Sequence, residues 1–404
     1  MNSEKKYSLV SVVRCLNYEW SNVERAVGES LDYLGGIKKF VKHGDKVLLK
    51  VNLLAPTTPE EAVITHPQVV KALIYQVKDV GGIPWIGDSS GGPFSGLTSR
   101  AFEISGLKEV AQETGAILKN FDVEGVVTLN NPNGIIMKKF HVARPVVEAD
   151  VCINMPKLKI HELLLLTGAV KNLVGVIPGG GKKELHQNAP KAEDLAHAIL
   201  DLFEVVKPRL QFMDAVVGLE GKRGIAIEGA GFGSPRQVGL IIASADAVAM
   251  DVVAAVIMGY NPLKIESIRV ANERGVGESD LQRIRICGEE LDKVKIEGYE
   301  KASNSIVELI PPFWAKKLIN QYITSYPAID SDSCKKCGTC QKSCPVDAIR
   351  IDSQPRIDLD TCIRCYCCHE LCTHAALELK RPLFARYLLW KKRLTTRRSY
   401  TKNP

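Results

Sequence analysis

The sequence has no long hydrophobic run. No stretch approaches the ~18 consecutive apolar residues that a membrane-spanning helix needs. The N-terminal Met-Asn-Ser-Glu-Lys-Lys-Tyr passes straight into a strand-like segment, without the apolar region of a secretory signal. A cytoplasmic location is expected. A dinucleotide fingerprint is also missing. Gly87–Gly92 lacks the G-x-G-x-x-G spacing, so no nicotinamide site is expected. Gly179-Gly-Gly-Lys-Lys183 is not a P-loop, because Val176 stands where its first glycine belongs and Lys183 where Ser or Thr belongs. There is no Gly-x-Ser-x-Gly elbow. His43, His66, His141, His197, His369 and His374 are too scattered to suggest a mononuclear metal site. Acid is lacking at one end only. Arg381 to Pro404 holds eight Lys or Arg and no Asp or Glu, leaving 45 basic against 46 acidic residues in positions 1–380. The net charge of +7 is therefore a property of the tail, and a general nucleic-acid-binding surface is not expected.

What the chain does have is cysteine in two runs. Cys334, Cys337, Cys340 and Cys344 form the first, and Cys362, Cys365, Cys368 and Cys372 the second. Both read C-x2-C-x2-C-x3-C, the spacing that holds two [4Fe–4S] clusters, each taking three thiolates from one run and the fourth from the other. One cluster is assigned to Cys334, Cys337, Cys340 and Cys372, the second to Cys362, Cys365, Cys368 and Cys344. The flanks repeat: Pro327-Ala-Ile-Asp-Ser-Asp-Ser-Cys334 aligns with Pro355-Arg-Ile-Asp-Leu-Asp-Thr-Cys362, 28 residues on. Such a repeat suits two half-domains about a pseudo-twofold axis. Zinc sites prefer separated C-x2-C pairs, and a disulfide scaffold requires an oxidising compartment. Residues 327–380 resemble a bacterial-type two-cluster ferredoxin domain. Thr373 departs from it, standing where the first run has Pro345. Cys367 is a spare thiol outside the ligand set. Cys15, Cys152 and Cys287 are expected to be buried and inert.

Upstream, β-branched runs alternate with amphipathic segments. Ser8–Arg14, Lys46–Leu53, Ile83–Ile86, Val151–Asn154, Leu210–Val217 and Val238–Ala243 read as strands, with helices such as Ala192–Val206 between them. The fold class expected is α/β, a mainly parallel sheet domain followed by a ferredoxin-type (α+β) double-cluster domain. The expected division is 1–288 for the α/β domain, 289–326 for a linker, 327–380 for the ferredoxin domain and 381–404 for a basic amphipathic tail.

Pro156-Lys-Leu-Lys-Ile-His161, Thr167-Gly-Ala-Val-Lys-Asn172, Met213-Asp-Ala-Val-Val-Gly-Leu-Glu-Gly221 and Ser244-Ala-Asp246 with Ala249-Met-Asp251 give the α/β part its character. Over residues 8–290 it resembles the DUF362 family, a domain of unknown function often fused to a ferredoxin module. The resemblance implies an iron–sulfur protein and supplies no catalytic residue.

The site is therefore argued from chemistry. In open α/β sheets ligands bind beyond the carboxyl ends of the strands. Lys50, Asn52, Asp88 and Ser89 fall there, as do Lys157, Lys159 and His161 after Val151–Asn154. Asp88, Lys157, Lys159 and His161 are the candidate catalytic residues, expected to line one pocket for an anionic small-molecule substrate. Each has a plainer reading: Asp88 as a turn or cap residue, the lysines as solvated loop charges, His161 as a cap residue of a Leu163–Leu166 helix. Asp251, in an apolar helix pattern, is expected to have a partner. The functional expectation is electron relay between a redox partner protein and the α/β domain. The alternatives are an adapter docking a larger redox enzyme, and clusters that only stabilise the C-terminal fold. Leu383, Tyr387 and Trp390 fall on one helical face among basic residues, which suits contact with an anionic membrane. Packing on the ferredoxin domain and an acidic protein partner stay open for the same segment.

Overall fold

The computed structural model describes residues 7–91, 96–179, 181–221, 233–302, 326–372, 374 and 376–380. The expected tail 381–404, Thr373 and positions 303–325 lie outside the described residues. The chain begins with β1 (Ser8–Arg14), α1 (Trp20–Tyr33), β2 (Lys46–Lys50), α2 (Pro67–Asp79), β3 (Ile83–Asp88), α3 (Leu97–Ile104), α4 (Leu107–Thr114) and β4 (Ile117–Asn120). A hairpin of β5 (Val126–Asn130) and β6 (Lys139–Ala143) leads through α5 (Arg144–Glu148) to β7 (Val151–Asn154). There follow β8 (Lys157–His161), β9 (Leu165–Thr167), α6 (Ala169–Asn172), α7 (Gly181–Asn188) and α8 (Ala192–Val206). β10 (Leu210–Glu220), β11 (Ser234–Ser244), α9 (Ala247–Ile257), α10 (Glu266–Arg274), β12 (Ile284–Gly288) and α11 (Leu291–Val294) complete the α/β part.

The main sheet has the order β12-β1-β11-β10-β7-β2-β3-β4, with β8 and β9 attached through β10, while β5 and β6 pair only with each other. Pairing is parallel from β10 through β7, β2 and β3 to β4, and between β12 and β1; β11 runs antiparallel to both its neighbours. The fold is thus α/β with a mostly parallel sheet. Its strands alternate between two apolar layers, as a period of two requires. In β2, Leu48 enters one core with α8, α9 and α10, while Val47 and Leu49 enter the other with α1, α2 and α4. Each fully buried Leu or Val side chain contributes roughly 1.5–3 kcal/mol, and burial on both faces explains the near-continuous apolar strands. β10 is long enough to change partners. It pairs with β7 at Leu210 and Gln211, then with β8 at Asp214 and Leu219, so β8 and β9 extend the sheet beyond the end of β7.

Local chemistry explains where expectation and structure part. The stretch from Leu97 to Thr114 forms two helices, because Gly106 adopts φ 76° between them. The Leu163–Leu166 helix does not exist. Lys157-Leu-Lys-Ile-His161 is a buried strand that turns back on itself, with Leu165 at φ 66° and His161 paired with Leu165. The first part of the expected linker belongs to the α/β domain: Val294, Tyr299 and Ala302 are buried, and Tyr299 Oη donates to Leu219 O at 2.9 Å. Cys15 and Cys152 are buried, and burial pushes their thiols up to about 11 and about 12; Cys287 is only half-buried. Among the described residues no helix is long and apolar enough to cross a membrane.

The C-terminal part consists of β13 (Tyr326–Ile329), α12 (Thr339–Ser343), β14 (Ile349–Arg350), β15 (Arg356–Ile357), α13 (Cys367–Glu370) and β16 (Leu377–Lys380). β13 pairs with β16 and β14 with β15, both antiparallel. The sequence repeat is a structural repeat. Asp330 N donates to Ala376 O at 2.8 Å, and its counterpart Asp358 N donates to Ala348 O, also at 2.8 Å. Each half therefore closes on the other. Lys336 and Arg364 take the same left-handed conformation, as do Gly338 and Tyr366.

Among the described residues Asp251 has no charged hydrogen-bond partner. Its carboxylate accepts from Ala169 N at 2.6 Å and Val170 N at 3.2 Å, and burial raises its pKa to about 7. A Cβ on Gly168 would overlap that carboxylate, whereas one on Gly28, in α1, would meet nothing. Gly168→Ala should therefore lower stability by about 1–3 kcal/mol, and Gly28→Ala should raise it by about 0.5–1 kcal/mol. Anaerobic urea unfolding followed by circular dichroism checks the two signs; equal effects would contradict the packing described.

Candidate functional site

β2, β3 and β7 run in register and end at one edge, where Lys50 lies opposite both Gly87 and Asn154. Polar side chains leave the strands here, and each is fixed by the next. Lys50 Nζ lies 2.9 Å from Asp88 Oδ1 and donates to Val51 O at 2.7 Å. The same carboxylate accepts from Ser89 N at 2.8 Å and from Leu53 N at 2.7 Å. Burial lowers the Lys50 ammonium, and Asp88 opposes the shift. The backbone of Gly175 rests against this pair, where a Cβ would overlap both groups. Asp88 thus closes the loops after β2 and β3, as its turn reading expects, while also facing a cavity.

A second layer is built from amides. Lys159 Nζ donates to Asn52 Oδ1 at 2.8 Å and Val63 O at 3.0 Å. Asn52 donates to Asn172, Asn172 to Asn154, and Asn154 to Gln211, each at 2.7–2.8 Å. This chain holds β8 and α6 against the sheet edge. His161 Nδ1 accepts from Leu164 N at 2.9 Å, which places the proton of a neutral ring on Nε2. Lys182, at the start of α7, donates to Ser89 O at 2.8 Å, Ser89 Oγ at 2.7 Å and Ser90 O at 2.9 Å. Ser89 Oγ passes its own proton to Asp122 Oδ1 at 2.6 Å. Burial brings the Lys182 ammonium down to about 8, against the pull of Asp88 and Asp122.

These groups surround a cavity of about 410 Å³, within the range of small-molecule sites. Asp88, Lys159 and His161 line it together, with Lys171 and Lys182. The opposite wall is ferredoxin-like chain: Lys342, Ser343, Pro345, Cys367, His369 and Leu371. α7 spans the two. Lys183 Nζ lies 3.1 Å from Asp347 Oδ1, and Gln187 Nε2 donates to Pro345 O at 2.6 Å.

Lys157 is not part of that wall. The pairing of β8 with β10 shifts register after Lys157–Asp214, and the Lys157 Nζ meets Asp214 Oδ2 at 2.7 Å and Tyr18 Oη at 2.8 Å, fully buried. Tyr18 Oη donates to Asp214 Oδ1 at 2.9 Å and stacks on His66 at 3.5 Å. Burial alone would raise Asp214, but the Lys157 ammonium and the His66 contacts bring it below its usual range. This is a buried ion pair in which every charge has hydrogen-bond partners, the condition under which such pairs persist. Glu220 is turned away as well, accepting from Glu300 N at 3.0 Å.

Reasoning from sequence left out Asp122, Glu162 and the whole ferredoxin-side wall. Asp122 follows β4 at the same sheet edge, so the carboxyl-end rule could have found it. Nothing in the sequence indicated which ferredoxin loops face the sheet.

None of the twelve cysteines is in a disulfide. Cys334, Cys337, Cys340 and Cys372 line one small cavity with Ile329 and Ile351. Cys344 instead lies within electrostatic reach of Cys362 and Cys368. Ala348 N donates to Cys344 Sγ at 3.2 Å and Ala376 N to Cys372 Sγ at 3.3 Å, a matched pair of bonds that favours negative charge on sulfur. Free thiols, spread about a common space and backed by N–H donors, fit a thiolate-held cluster. Among the described residues no three His, Cys, Asp or Glu side chains gather as the ligands of a single ion would.

Fold and cysteine pattern together define an α/β protein that carries an iron–sulfur electron-transfer domain. Residues 47–256 match the family described as "Domain of unknown function (DUF362)", and residues 327–350 match the 4Fe-4S binding domain family. The chain belongs to the DUF362 family. A Synechocystis sp. relative, described as thylakoid-associated protein sll1697, is 33% identical over 268 residues, covering 66% of this chain and 79% of that protein. Two solved structures are distantly similar. The lactate racemase apoprotein from Thermoanaerobacterium thermosaccharolyticum has 12% identity and a TM-score of 0.37, over 61% of this chain and 56% of that one. A Thermotoga maritima protein has 13% identity and a TM-score of 0.37, over 63% and 59%. The chain spans somewhat more than half of each, and likeness at this level carries no functional inference.

The stacked, half-buried Tyr18–His66 pair has a pH consequence. Burial lowers the His66 imidazole from 6.5 to about 4. Between those values the unfolded chain binds the proton and the folded chain does not, so stability falls as pH drops. The contribution is complete above about pH 6.5 and gone below about pH 4. His66→Asn, which keeps an N-cap acceptor, should flatten the loss of urea stability between those pH values. An unchanged slope would place the titration elsewhere.

Proposed function

We propose that the protein exchanges electrons with a small molecule held in the cavity between the sheet edge and the ferredoxin loops. Two [4Fe–4S] clusters, held by the crossed cysteine sets, would supply one-electron transfers. The observation that carries this reading is the composition of the wall: Ser343 and Pro345 flank Cys344, and Cys367 adjoins Cys368. Two ligands assigned to one cluster thus sit directly behind the cavity surface. Lys159 and Lys171 would bind negative charge on the ligand, and His161 would offer a proton at Nε2. Asp88 would hold Lys50 and the two strand-end loops in place. An adapter role has less support, since docking a larger enzyme does not require a cavity lined by buried cations. The cytoplasmic placement and the redox partner protein remain parts of this proposal.

Anaerobically prepared protein should contain about eight iron and eight sulfide per chain. Cys344→Ala should cost one cluster although Cys344 belongs to the first run, and Cys367→Ala should cost none. Retention of both clusters in Cys344→Ala would end the crossed assignment. The reduced protein should be reoxidised by a small molecule that co-purifies or is found by screening; reoxidation by another protein alone would favour the adapter.

The relative's description as thylakoid-associated supports a membrane-peripheral location, which the aromatic and basic residues of 381–398 would provide. Co-sedimentation with anionic liposomes should be salt-sensitive and disappear on truncation after Lys380. Absence of binding by the intact chain at low salt would remove this reading.

A further inference from the structure

The wall of the cavity is graded in two respects. One is charge: six lysines line it against Asp88, Asp122 and Glu162. Several of those charges are already committed, Lys50 to Asp88, Lys182 to the Ser89–Ser90 loop and Lys183 to Asp347. Lys171 is different. It is half-buried, it faces the cavity, and among the described residues it has no hydrogen-bond or ion-pair partner. Its charge is close enough to Lys50 to disfavour the neighbouring ammonium. The other gradation is polarity. Leu54, Val174 and Leu371 also line the space and keep part of their apolar surface exposed. An inorganic anion would leave these apolar surfaces unfilled, and a polyhydroxylated one would set hydroxyls against them without partners, at a cost for each. A neutral apolar molecule would leave the excess positive charge uncompensated.

We infer that the cavity takes an organic anion with an apolar body, its acid group held at Lys171 and its body against the leucine and valine wall. The inference deepens the proposed redox reading by naming the ligand class, and it rests on that reading only for why a ligand is there.

The test uses the full-length, cluster-loaded protein and isothermal titration calorimetry with three probes. These are 2-naphthoate, the neutral isostere 2-naphthylmethanol, and inorganic phosphate. Naphthoate should bind, and the alcohol should bind roughly tenfold more weakly or worse, the loss of a charged hydrogen bond. Phosphate at the same concentration should not displace naphthoate. Lys171→Gln should weaken naphthoate roughly tenfold, and Lys171→Arg should restore most of the loss, with iron content equal in all three proteins. Failure of naphthoate to bind, equal binding of the alcohol, displacement by phosphate, or an unaltered Lys171→Gln protein would each overturn the inference. If naphthoate binds as expected while no small molecule reoxidises the reduced protein, the ligand class stands and the redox reading falls.

Discussion

The buried charge pair at the carboxyl edge of the sheet is the constraint on which the site depends. Lys50 and Asp88 are 1% and 4% exposed at the side chain and 2.9 Å apart. Taking two ions out of water costs several kcal/mol each, and the cost is recovered only where geometry is tight and remaining donors and acceptors are occupied. Both conditions hold here. Asp88 takes two backbone N–H groups besides the ammonium, and Lys50 reaches a carbonyl. The loops after β2 and β3 are thereby fixed to one another. Those loops present Asn52, Ser89 and Ser90, from which the amide chain and the Lys182 anchor extend.

A cavity with so many cations stays open because they are separated by function. Among the described residues, Lys50 and Lys182 close the structure internally, Lys183 reaches Asp347, and Lys171 faces the interior space. In a regular strand Lys157 and Lys159, two residues apart, would share a face. The pairing of β8 with β10 is irregular between them, with Lys157 opposite Asp214 and Lys159 opposite Leu219, and one lysine faces Asp214 and Tyr18 while the other faces Asn52 and the cavity. In the sequence they looked alike.

The α/β class and the cysteine repeat were legible because they rest on short-range periodicity. Strands buried on both faces read as apolar runs, and ligand spacing within one loop is a local property. Asp88, Lys159 and His161 were legible as a group because strand ends in a parallel sheet share an edge. The β8–β9 turn was not, since Leu165 accepts a left-handed backbone that leucine disfavours, and only pairing with β10 makes it worthwhile. The partner of Asp251 was equally hidden, being two backbone N–H groups rather than a side chain. The ferredoxin-side wall depends on how two domains dock, which no local pattern encodes.

Helix α7 joins the two halves at close range. Lys182 is fastened to the Ser89–Ser90 loop, and Gln187, five residues on, to the carbonyl of Pro345. Five residues of helix measure about 7.5 Å, and a rod that short does not bend. It acts as a strut. The serine loop and the residue that follows Cys344 are thus mounted on the two ends of one short rod.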